Sequence, residues 1–68
     1  MPAGQVRVAF EIVLAVVELV EQERRVPEGL VYAALLGRVS ADGFEAMIRQ
    51  VVGTGLVRRR ENELVWIG

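Results

Sequence analysis

The chain has 68 residues and a formal net charge of −1, with eight arginines against nine acidic residues. It has no cysteine and no histidine, and only one serine, Ser40, and one threonine, Thr54. Disulfides, cysteine- or histidine-ligated zinc and nucleophile-plus-base catalysis therefore lack raw material, and a non-enzymatic protein with no cofactor and no metal is expected.

At this length one domain over residues 1–68 is expected, near the lower limit for folding alone. The charge is unevenly spread. Residues 1–34 hold three Arg and five Glu, whereas residues 35–68 hold five Arg against Asp42, Glu45, Glu61 and Glu63. Any attraction for nucleic acid is therefore local to the second half. The apolar run Val8–Val20 contains Glu11 and Glu18 and is too short to span a bilayer, so no membrane association and a cytoplasmic location are expected.

Residues 1–4 read as a frayed start. Residues 5–25 read as one long helix, because Arg7, Glu11, Glu18, Glu21, Gln22 and Arg25 fall on one stripe at helical spacing. Arg7/Glu11 and Glu21/Arg25 are i,i+4 pairs of opposite charge. The rest of this helix is apolar over most of its circumference. Such an excess suggests a second copy of the chain as partner, with Phe10, Val13, Leu14, Val17 and Val20 at the homodimer contact.

Val26-Pro27 ends the first helix and opens the second, expected over about 28–36. Gly37 suits a left-handed C-cap. Ser40 is a good N-cap for a third helix over about 41–52, with Phe44, Met47, Ile48 and Val51 as its buried face. Its capping box is incomplete, since Gly43 stands where Glu or Gln would complete it. Gly53-Thr54-Gly55 stops this helix. Leu56–Arg60 and Leu64–Ile67 then read as two strands joined at Glu61-Asn62, with Asn62 able to adopt a left-handed conformation. A fourth helix through Arg58–Trp66 is the competing reading, and the β-rich Leu64-Val65-Trp66-Ile67 favours the hairpin.

The expected fold is thus mainly α, with three helices and a small C-terminal β-hairpin. Gly37-Arg38-Val39-Ser40, then Phe44, Ile48 and Val51, then Gly55-Leu56-Val57-Arg58, resembles the winged helix-turn-helix superfamily over about residues 28–67. The resemblance divides the chain into a long apolar helix (5–25), a helix-turn-helix (28–52) and a hairpin wing (56–67). It implies a third helix that enters the major groove of double-stranded DNA and a wing that touches the backbone. Carried onto this chain, Arg49 and Gln50 could read base edges, while Asp42 and Glu45 on the same face should repel phosphates.

Arg58, Arg59 and Arg60, with Arg38 in the turn, are the better candidates for phosphate contact. Alternation along a strand puts Arg58 and Arg60 on one face and Arg59 on the other. Two chains supplying three contacts each would neutralise about six phosphates, for a log–log salt slope near −5. The triplet could instead pair with Glu61 and Glu63 and keep an edge strand soluble. Two functions follow. One is a small dimeric DNA-binding transcriptional regulator that grips through wing arginines. The other is a protein-interaction module that binds no DNA and docks a protein partner on the first helix or on Val65-Trp66-Ile67-Gly68.

Overall fold

The computed structural model describes the backbone of residues 3–68 and the side chains from Phe10 onward. Its elements are helix α1 (Ala3–Glu23), strand β1 (Arg25–Pro27), helix α2 (Glu28–Ala34), helix α3 (Ala41–Gly53) and strands β2 (Val57–Arg60) and β3 (Glu63–Trp66). The fold is three helices with a small antiparallel sheet in the order β1-β3-β2. The hairpin, not the fourth helix, forms at the C-terminal end. Met1 and Pro2 of the expected frayed start lie outside the described residues, as do the side chain of Arg7 and its expected pairing with Glu11.

The first helix ends two residues earlier than the sequence suggests, and a strand missing from that reading takes the space. The reversal is made at Arg24, whose φ of 71° lies in the left-handed region. Its N–H still closes the helix on the Val20 carbonyl, while its own carbonyl accepts from the Trp66 N–H at 2.8 Å. One residue thus converts helix into strand, and Arg25 belongs to β1 rather than to a helical pair with Glu21. Val26 is held opposite Leu64, and both are buried.

Pro27 is the last residue of β1 and the N-cap of α2, where its φ of −62° suits an extended backbone. Helix α2 is shorter than expected, with Leu35 as its C-cap. Gly37 and Gly55, at φ 85° and 79°, take the left-handed conformations that follow α2 and α3. Ser40 caps α3 as expected, its Oγ accepting from the Gly43 N–H at 3.0 Å. At the other end the Thr54 hydroxyl donates to the Val51 carbonyl at 2.7 Å and accepts from the Leu56 N–H at 3.2 Å. Glu61 and Asn62 both have positive φ, 48° and 66°, which matches a two-residue type I′ hairpin.

The core is built from one stripe of each long helix. Val13, Val16, Val17 and Val20 of α1 meet Phe44, Met47, Ile48 and Val51 of α3. Val31 of α2 and Val26, Val57 and Leu64 of the sheet close it. Ile48, Leu64, Val20 and Val51 are fully buried, and each such side chain contributes roughly 1.5–3 kcal/mol of transfer free energy. Tyr32 packs edge-on against Phe44, with ring centroids 4.9 Å apart. Among the described residues no helix is long and apolar enough to cross a membrane.

Candidate nucleic-acid interface

Residues paired across an antiparallel sheet share a face. On the inner face Val26, Leu64 and Val57 join the core. On the outer face Arg25, Val65 and Arg58 form one row across the three strands, and Pro27, Glu63 and Arg60 form the next. With strands about 4.8 Å apart and a rise of about 3.4 Å per residue, the three arginine stems originate about 7–12 Å from one another. Arg25, Arg58 and Arg60 are all exposed. None makes an ion pair or a side-chain hydrogen bond among the described residues.

Arg59 is placed differently. It lies on the inner face and turns back over the helices. Its Nε and Nη2 donate to the two carboxylate oxygens of Glu28 at 2.7 and 2.8 Å. Its Nη1 and Nη2 donate to Glu45 at 3.0 and 2.6 Å. This is a double fork, the geometry that a planar guanidinium allows and an ammonium does not. The pairing holds the Glu45 carboxyl below its ordinary range, chiefly through the hydrogen bond from Arg59. The same carboxylates stabilise the charged guanidinium and raise its pKa. The acids that hold the triplet are therefore Glu28 and Glu45, not Glu61 and Glu63, and they hold only Arg59.

The remaining expected contacts are scattered. Arg49 and Gln50 are exposed on α3, which packs against the inner side of the sheet. They and the outer-face arginines present to different sides. Arg38 lies after α2 and lines the same open groove as Glu11, Ile12 and Ala15 of α1. The hairpin is also held down. The Asn62 carbonyl accepts from the Glu28 N–H at 2.8 Å, which fastens the turn to the start of α2.

Of the residues expected at a dimer contact, Val13, Val17 and Val20 are core side chains and are unavailable to a partner. Phe10 and Leu14 are exposed, 61% and 46%. The chain's own sheet and α3 cover the stripe that had looked surplus.

Sequence reasoning missed Arg25 as a neighbour of Arg58. The signal was the alternation exposed–buried–exposed in Arg25-Val26-Pro27, too short to stand out beside a long helix. It also missed Glu28, whose link to Arg59 depends on the sheet register. Among the described residues no group of three or more His, Cys, Asp or Glu side chains is placed to hold a metal ion. Comparison with protein-family models, curated proteins and solved structures finds no match to this chain.

Proposed function

We propose that the protein is a small winged-helix DNA-binding protein that grips the duplex backbone, in the service of transcriptional regulation. The observation that carries this reading is the outer sheet face, where Arg25, Arg58 and Arg60 stand exposed with no acidic partner among the described residues. The order helix, strand, helix, helix, hairpin, with the first strand laid against the last, supports the winged-helix assignment. Duplex DNA carries one negative charge per about 1.7 Å of axis, so arginines about 7–12 Å apart meet phosphates without demanding a sequence. Three contacts per chain give a log–log salt slope near −3.

The reading replaces the expected triplet. Arg59 is committed to Glu28 and Glu45, and Arg25 takes its place. Because the hairpin turn is fastened to α2, a flexible wing tip probing the minor groove is not part of the proposal.

A second reading, the protein-interaction module that binds no DNA, is favoured by one feature. Asp42 and Glu45 stand in the first turns of α3, and Glu45 and Glu28 share the one guanidinium of Arg59. One experiment decides. Binding of random duplex DNA is titrated at low and moderate salt with the natural chain and with Arg25, Arg58 and Arg60 all changed to Ala. Strong salt-dependent binding lost in the triple variant supports the proposal. No binding at low salt, or binding that the triple variant keeps, overturns it.

A further inference from the structure

The α1 surface flanking the core is not uniform. Val13, Val16, Val17 and Val20 point to the core, whereas Ile12, Ala15 and Leu19 make a second stripe about 100° away around the helix. With Leu30, Ala34 and Leu35 of the α2 segment they line an open groove of about 680 Å³. The groove exists because Ala15 and Ala34 stand where bulkier side chains would fill it. Its walls are aliphatic, and the charged side chains on it are Glu11 from α1 and Arg38 from the turn after α2. Phe10 and Leu14 lie on the other flank of α1, about 130–170° from the groove stripe.

We infer that this groove is the seat of a second copy of the chain, in a two-fold contact. Three observations select that occupant. First, the surface carries its own filling: Leu30, on the groove wall, is 62% exposed, an aliphatic knob beside an aliphatic hole. In an isologous contact every feature is used twice, so each Leu30 enters the partner's groove. Second, the two charges are of opposite sign, and neither is paired with a side chain among the described residues. Two-fold symmetry that brings Glu11 against the partner's Arg38 makes the same pair again on the other side. Third, the walls offer no uncharged hydrogen-bonding side chain, whereas sites for small molecules combine apolar walls with a few placed polar groups.

The inference is independent of the DNA reading. It assigns Arg38 to the partner subunit rather than to phosphate, and it moves the dimer contact from the stripe of Val13, Val17 and Val20 to the neighbouring one.

The test is sedimentation equilibrium of the full chain without DNA, from low to high micromolar concentration. Glu11 and Arg38 are both exposed, so their substitution leaves the fold intact, which circular dichroism verifies. The natural chain dimerises. Glu11→Arg and Arg38→Glu each weaken the dimer about tenfold, since each removes two attractions and adds two repulsions. The double variant, with the charges exchanged, recovers the natural association constant to within about threefold. Leu30→Asp abolishes the dimer, and Leu14→Asp leaves it unchanged. A chain that stays monomeric at high micromolar concentration overturns the inference. So do single reversals without effect, a double variant no tighter than the singles, or a dimer broken by Leu14→Asp and not by Leu30→Asp.

Discussion

Arg59 and Glu28, thirty-one positions apart, meet in a forked ion pair with both contacts under 3 Å. Glu28 is 8% exposed, so its carboxylate has given up most of its water and depends on this guanidinium. The pair joins the edge strand β2 to the first turn of α2, and Glu45 extends the link to α3. An arginine that looked like part of a nucleic-acid grip fixes three elements in place.

Arg59→Ala should therefore destabilise the fold rather than merely lower its affinity for anions. Leaving a nearly buried carboxylate without its donors costs about 2 kcal/mol after allowance for the partial exposure of Arg59. In a domain of this size that lowers Tm by about 10 °C. Arg59→Lys should recover little, since one ammonium cannot fork two carboxylates. Arg58→Ala should leave Tm unchanged within about 2 °C. Thermal unfolding followed by circular dichroism checks all three, and an Arg59→Ala variant as stable as Arg58→Ala would refute the assignment.

The same cluster sets a pH dependence. The folded-state pKa of Glu45 is lowered by Arg59, so the unfolded chain binds this proton more readily than the folded one. The contribution is complete above the unfolded value of about 4.3 and is lost as pH falls through the lower folded value. Urea unfolding between neutral pH and pH 2 should show stability falling in that acid window. Glu45→Gln should show a shallower fall over the same range and the same flat response above pH 6. Identical acid limbs would remove Glu45 from the account.

Arg24 holds a left-handed backbone that non-glycine residues rarely adopt. Relief of that conformation is worth about 1 kcal/mol, less the greater entropy glycine has in the unfolded chain. Arg24→Gly should raise stability by about 0.5 kcal/mol, and Glu61→Asn, at φ 48°, should do the same in the hairpin turn. Unfolding midpoints that fall in either variant would mean that the side chain carries more than its backbone costs.

Arg25→Ala tests the newly assigned member of the basic face. Loss of one phosphate contact should reduce the salt slope for duplex DNA by about 1, with all sequences weakened alike. Its Tm should hold, because Arg25 is exposed and makes no ion pair among the described residues.

Local signals made much of the fold legible. Ser40 before an apolar helix, the Phe44–Val51 spacing and the Glu61-Asn62 turn each act over a few residues, and each appears as the sequence suggests. What failed to show was whatever depends on partners far along the chain. β1 is three residues long and exists because β3 lies beside it. The excess apolar surface of α1 was read as one patch because periodicity cannot tell which apolar stripe the chain itself will cover. Val13, Val17 and Val20 go inward, and Ile12, Ala15 and Leu19 line the groove. The role of Arg59 was hidden for the same reason. Adjacent arginines look alike until the register turns one toward Glu28 and leaves its neighbours outside.

The central place of β3 has a kinetic consequence. β1 is made early but finds its hydrogen-bonding partner only when the chain closes from Val26 to Leu64, around α2, α3 and β2. Helix α1, the α3 cap and the β2-β3 hairpin can form from neighbouring residues, yet β1 has no strand to pair with until that distant closure is made. Folding speed should therefore follow the strength of the Glu61-Asn62 turn, which delivers β3, more than the helical propensity of α1. A glycine or asparagine in place of Glu61 would act as an accelerator of the whole molecule.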